Sequence, residues 1–197
     1  MPNGKLRRVL DDEEAEQLLS TFNTRYRSPH RDWLACRLMY EAGLRVSEVV
    51  SLRTDQLEAT PAGGEIVVRD GKGGVDRRLG IGRELRSDLE EWMERLEEEY
   101  PESPWLFPTR NGKHVRRNHL FRTVKRAAER AELPEAGLIS PHTLRHSFAT
   151  RWLRRGGNLE ALRRALGHAD LRTTQEYLNL LDDEHVEAMQ DLANASG

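Results

Sequence analysis

The stretch SPHTLRHSFATRWL, beginning at Ser140, places His142, Arg145 and His146 close together at the start of an expected helix. Ser140 suits an N-cap and Pro141 the first helical position, so the helix should begin there. His142 and Arg145 are i and i+3, neighbours on one face, with His146 beside them. Leu144, Phe148 and Trp152, with Leu153, form a separate apolar face. Backbone N–H groups without helical partners, together with the helix dipole, favour an anion at this end. Phosphate is the anion these groups suit. These residues alone leave open whether it is bound or transformed.

Other residues could share that chemistry. In LGHADLRTTQEYLNLL, Gly167 ends a helix over 159–166 and leaves His168 in the turn. Tyr177 follows on a helix over about 171–180. Arg45, in GLRVSE, comes just after a glycine break, where a long side chain can leave the core. Lys72 lies between glycines in a turn that can approach another backbone closely. Taken singly, each has an ordinary reading: a solvated arginine, a turn lysine, a satisfied loop histidine, a tyrosine packed on the core. Zinc is the alternative for His142 and His146 at i,i+4, but the pair lacks the acidic neighbour and third ligand such a site wants. Cys36 is the single cysteine, set in the apolar run WLACRLMY, and reads as a small buried hydrophobe.

The elements that must position these residues are mostly helical. Residues 11–22 read as a short helix with acids in its first turn. Residues 29–44 form a strongly apolar helix with Trp33, Leu34, Cys36, Leu38 and Met39 expected at the centre of the core. Gly43 breaks it, and RVSEVVSL resumes as a short helix. EIVVRDGKGGVDRRLGI has β-branched runs on both sides of a glycine-rich turn, the pattern of a hairpin. An acidic amphipathic helix over 83–99 is built on Leu85, Leu89, Trp92 and Leu96. Further helices are expected at about 117–131, 141–155, 159–166, 171–180 and 184–193. The fold class is α+β, mainly α, with a small antiparallel sheet.

The 197 residues can bury a proper core, and no stretch of about 18 apolar residues is present to span a membrane. The N-terminus lacks the apolar core of a signal peptide, and with the lone cysteine this points to the cytoplasm. A net charge of −2 hides a division. Arg110 to Arg130 holds eight basic residues against Glu129, and Arg145 to Arg164 six arginines against Glu160. Glu84 to Glu102 carries nine carboxylates, and Asp182 to Asp191 five. Such segregation gives a polyanion one basic surface, although a charge run is also how a solvated helix face looks.

Arg45 in EAGLRVSEVVSL, Lys72 in GKGG, His142 and Arg145 in PHTLRHSFAT, His168 in LGH and Tyr177 stand in one order. In that order and spacing the chain resembles the tyrosine site-specific recombinases, or phage integrase family, over about residues 8–193. Glu48, three residues after Arg45, matches an acidic position that the family often uses to orient its active site. The resemblance implies a catalytic domain that cleaves and rejoins double-stranded DNA through a 3′-phosphotyrosyl intermediate, needing no metal, ATP or other cofactor. Arg45 and Arg145 would hold the non-bridging phosphate oxygens, Tyr177 would attack, and His142 would serve as acid/base partner. Lys72 would protonate the leaving 5′ oxygen, and His168 would hydrogen-bond the phosphate or brace the pocket. Within the same chemistry a type IB topoisomerase-like activity is open. From another class, so is a DNA-binding regulator that keeps the fold without cleavage.

Members usually carry an N-terminal helical domain that clamps the other side of the DNA. Residues 1–197 are therefore expected to be a single catalytic domain without it, either a fragment or a minimal protein. Arg116, Arg117, Asn118 and Arg122, near the start of the 117–131 helix, are the candidate DNA-docking residues. The tail carries Val186, Met189 and Leu192 as a thin apolar stripe on an acidic segment. By resemblance it would dock on a neighbouring protomer in a tetramer on DNA, with packing in cis as the alternative. No membrane and no small-molecule substrate is expected.

Overall fold

Asp11 opens the first helix by accepting the Glu14 N–H at 2.8 Å, while the Glu14 carboxylate accepts the Asp11 N–H at 3.2 Å. This reciprocal cap, with acids in the first turn, satisfies otherwise orphaned donors of α1 (Asp12–Ser20). The structure, a computed structural model, describes residues 8–69 and 76–167. The expected helices over 171–180 and 184–193, and the turn holding Lys72, lie outside them.

α2 (Arg27–Glu41) starts two residues before the expected position and takes Pro29 into its first turn, where the missing N–H has no helical partner to lose. It packs against α1, α3 (Val46–Val50), α4 (Arg83–Glu99), α5 (Arg117–Arg130) and α6 (Pro141–Arg154). Leu34, Cys36, Leu38 and Met39 are wholly buried. Each such side chain contributes about 1.5–3 kcal/mol relative to leaving it in water. Trp33 differs from expectation. It is only half-buried, facing the groove where α1 and α4 part, with Arg37 stacked over its ring at 4.7 Å. The tryptophan at the core's centre is Trp92, whose indole N–H donates to Leu106 O at 2.7 Å.

The hairpin is the larger part of a three-stranded antiparallel sheet, ordered β1 (Leu57–Thr60), β2 (Gly63–Val68), β3 (Arg77–Ile81). Ile66 pairs with Leu57 on one side and Leu79 on the other. Along β3, Leu79 and Ile81 are buried while Arg78 and Gly80 are exposed, the two-residue alternation of a half-buried strand. α4 spans the expected residues, with Leu85, Leu89, Trp92 and Leu96 buried.

α6 crosses α2 with Leu144 in the main core. Phe148, Ala149 and Leu153 turn instead to a second, smaller cluster with Leu162 and Leu166 of α7 (Leu159–Leu166). α7 also lies against β3. Its C-terminus therefore meets the sheet, α6 and the start of α3 in one place.

Candidate active site

Gly43 creates the first half of that junction. Its φ of +66° turns the chain sharply after α2, and a Cβ there would collide with the Phe148 ring. The turn exposes the Gly43 carbonyl to Arg145, whose Nη1 donates to it at 2.7 Å. Two residues on, Arg45 takes the N-cap of α3, and its N–H donates to Glu48 Oε2 at 2.7 Å. Arg45 Nη1 donates to Glu48 Oε1 at 3.0 Å. Arg145 Nη1 stands 3.8 Å from Glu48 Oε2, so one carboxylate faces both arginines.

The C-terminus of α7 makes the other half. Gly167, at φ +61°, closes the helix and leaves its last carbonyls without helical donors. Three guanidiniums from three elements take them in succession. Arg77 Nε from β3 donates to Ala165 O at 2.8 Å, and Arg145 Nη2 from α6 to Leu166 O at 2.6 Å. Arg45 Nη2 donates to Gly167 O at 3.0 Å. Cations here also complement the negative end of the helix dipole. A Cβ at Gly167 would come within 3.3 Å of Arg77 Nη1 and 3.4 Å of Arg45 Nη1, tighter than side chains ordinarily tolerate.

Glu48 is the electrostatic hub. Burial pushes its carboxyl up, but the hydrogen bond and charge of Arg77, the Arg45 N–H and the Arg145 charge outweigh this and hold it below the usual carboxylate range. It stays ionised and fixes the arginines by charge-assisted hydrogen bonds. Arg145 is almost wholly buried, whereas Arg45 keeps about 37% of its side chain exposed and so has a face for an anion.

His142 is exposed on the first turn of α6, edge-on to Phe121 at 5.7 Å between ring centres. It looks toward α5, while Arg145 reaches under the helix toward α3 and α7. Sharing one helix face has not given them one set of neighbours. The N-terminus of α6 forms as the sequence suggests, with Pro141 first and the Thr143 hydroxyl accepting the Ser140 N–H at 3.1 Å. Lys72, His168 and Tyr177 lie outside the described residues.

Arg77 joins this junction and is not among the residues singled out from the sequence. A signal for it exists: strand alternation places Arg77 on the inner face with Leu79 and Ile81, and an inward arginine must find partners. Two other reactive side chains are disarmed. Burial pushes the Cys36 thiol far up, so it supplies no thiolate. Burial and the Asp12 carboxylate push Tyr40 up to about 12.

A second basic region sits at the N-terminus of α5. Arg116, Arg117, Asn118 and Arg122 are all exposed. Arg116, Asn118 and Arg122 line a groove of about 920 Å³ with Lys113 and His114. Beneath it Asp32 Oδ1 accepts from Arg31 Nε at 2.9 Å and Nη2 at 2.7 Å. Asp32 Oδ2 lies 2.7 Å from His119 Nε2, and Arg31 Nη1 donates to Pro108 O at 3.1 Å. This buried cluster ties α2 to α5 and to the loop before it. Among the described residues, no group of His, Cys, Asp and Glu is gathered to hold a metal, and no helix is long and apolar enough to cross a membrane.

A model of the phage integrase family matches residues 8–184. Tyrosine recombinase XerC of Pseudomonas fluorescens is 37% identical over 195 residues, covering 98% of this chain and 63% of its own length. Tyrosine recombinase XerD of Rhizobium meliloti is 34% identical, covering 94% of this chain and 61% of its own. The chain thus spans less than two thirds of these relatives. Among solved structures, the XerH site-specific recombinase in a post-cleavage complex with palindromic difH superposes with a TM-score of 0.82 at 27% identity, covering 96% of this chain and 54% of that one. The catalytic domain of bacteriophage HP1 integrase superposes at 0.61 and 26% identity, covering 88% of each chain.

Proposed function

This chain belongs to the phage integrase family, and from that premise we propose that it is a site-specific recombinase, cutting and rejoining double-stranded DNA. One observation carries the reading within the molecule. Arg45 and Arg145, distant in sequence, are fixed around Glu48 and on adjacent carbonyls of α7, with Arg45 partly open to solvent. Preorganised guanidiniums of this kind lower the barrier where a transition state gathers negative charge.

In the proposed reaction, Arg45 and Arg145 hold the non-bridging oxygens of the scissile phosphate. The Tyr177 oxygen attacks phosphorus, forming a P–O bond to the enzyme as the P–O5′ bond breaks. His142 handles the proton of the nucleophile, Lys72 gives a proton to the departing 5′ oxygen, and His168 braces the phosphate. A second 5′-hydroxyl reverses the step. One phosphodiester replaces another throughout, so neither ATP nor a metal is required.

Residues 1–197 act in this reading as one catalytic domain, supported by the matching extent of the HP1 integrase catalytic domain. Arg116, Arg117, Asn118 and Arg122 dock the duplex, and the working assembly is a tetramer on DNA. The complex of the XerH relative with its difH site supports DNA as the partner.

Trapping on nicked duplexes tests the reading. The unchanged protein should form a covalent protein–DNA adduct, and Tyr177→Phe should form none while binding DNA nearly as well. Binding without any adduct from the unchanged protein would reduce it to a DNA-binding regulator. Adducts persisting in Tyr177→Phe would overturn the nucleophile assignment.

A further inference from the structure

Resting on the recombinase reading, we propose that Arg77 is a positioning residue for cleavage: it locks Glu48 to the last turn of α7, so that Arg45 and Arg145 meet the phosphate in a fixed arrangement. Arg77 itself has little freedom to reach a substrate. Its side chain is about 11% exposed, Nε is committed to Ala165 O at 2.8 Å, and Nη2 to Glu48 Oε2 at 2.8 Å. Its influence therefore passes through what it holds.

Two consequences follow from removing it. Glu48 Oε2 loses the side-chain donor nearest to it and is left with the Arg45 N–H and with Arg145 Nη1 at 3.8 Å. The carboxylate is then drawn toward Arg145, which must loosen its hold on Gly43 O or Leu166 O to respond. Independently, Ala165 O loses its donor, so the α7 terminus shifts, and with it the Gly167 carbonyl that anchors Arg45 Nη2. Both proposed phosphate-holding arginines are displaced by this one change. Because Arg77 opens β3, it also fastens that strand to the terminus of α7 and to Glu48.

The planar fork matters, not the charge alone. Arginine can donate along two edges at once, to a carbonyl on one and a carboxylate on the other. Lysine presents one ammonium and cannot span both.

The test uses the full chain and a nicked duplex that the unchanged protein selects from a random-sequence library. Adduct formation is timed at saturating DNA for R77Q and R77K, beside DNA affinity, Tm and the pH dependence of the rate. Both variants should slow adduct formation at least about tenfold, on the scale of displacing reacting groups from outside the site. DNA affinity should stay within about threefold, since the docking surface is elsewhere. In R77Q the acid limb of the rate should move to higher pH. Glu48, faced by Arg45, Arg77 and Arg145, loses its main stabilising partner and protonates more readily. A residue that merely stabilises the fold would leave that limb in place. If R77Q does not fold, R77K decides alone. Wild-type rates in either folded variant, full rescue by R77K, an unmoved acid limb in folded R77Q, or failure of both to fold would overturn the proposal while the recombinase reading stands. Absence of any adduct from the unchanged protein would instead overturn both.

Discussion

The junction at the end of α7 and the basic start of α5 both concentrate arginines, yet they treat them in opposite ways. At the junction Arg145 is buried and Arg77 mostly shielded, and with Arg45 they are tied to consecutive carbonyls and to one carboxylate. At α5, Arg116, Arg117 and Arg122 are exposed, and their side chains make no hydrogen bond or ion pair among the described residues. There the buried charge lies one layer down, in Arg31 and Asp32, and with His119 it holds the helix rather than its arginines. Fixed guanidiniums cost little reorganisation when charge develops on a phosphate, which suits catalysis. Loose ones can follow a polyanion's backbone and release its counterions, which suits docking.

The largest effect that could break this contrast comes from substituting Arg145. In Arg145→Ala, adduct formation should fall at least ~100-fold, the scale of losing an oxyanion-type donor. Stability should fall as well, because Gly43 O and Leu166 O lose their Arg145 hydrogen bonds, at about 1–3 kcal/mol for each acceptor left unsatisfied. Arg45→Ala should match the loss of cleavage with a much smaller drop in Tm, since that side chain is partly in solvent already. Equal Tm values for Arg145→Ala and the unchanged protein would mean that the junction does not anchor its arginines.

Much of this contrast is legible in the sequence, and the exceptions have physical causes. The boundaries of α4 and α7 match those read from apolar periodicity and from Gly167. The structure adds Asn158, whose side chain accepts the Ala161 N–H at 3.0 Å, as the cap of α7. Arg45 and Arg145 can be picked out as residue types in their local setting, and Glu48 only through the family resemblance. Their meeting on the carbonyls of α7 cannot, because a backbone acceptor leaves no mark on residue identity. β1 escapes notice because LEAT is a short edge strand with no fully buried position to set up an alternation. Trp33 misleads because apolar character says that a residue prefers burial, while the gap between α1 and α4 decides how far it gets. Arg77 is within reach of the sequence: it stands two residues before Leu79 on a strand whose inner face is apolar.

A smaller effect sharpens the comparison through pH. The folded pKa of Glu48 lies below its ordinary value of 4.5, so its stabilising contribution is fully present above that pH. It is lost as pH falls through the lower folded value, where the carboxyl protonates and releases Arg45, Arg77 and Arg145. Melting curves from neutral pH down to about pH 3 should therefore fall more steeply for the unchanged protein than for Glu48→Gln. Parallel curves would show that the junction's arginines do not depend on Glu48's charge.

The smallest effects are expected at α5, and they distinguish docking from folding. Arg116→Ala and Arg122→Ala remove exposed side chains without described partners, so stability should stay within about 0.5 kcal/mol of the unchanged protein. For every phosphate that a variant no longer neutralises, the slope of log affinity against log salt should shrink by about 0.9. Adduct formation at saturating DNA should be unchanged, because nothing at the junction moves. Titrating binding over a range of salt for each variant, with melting curves alongside, reads both quantities from the same preparations. A slope identical to that of the unchanged protein would mean that these arginines do not meet phosphates. A large fall in Tm would mean that α5 holds its exposed arginines as firmly as the junction holds its buried ones, and the two regions would no longer differ.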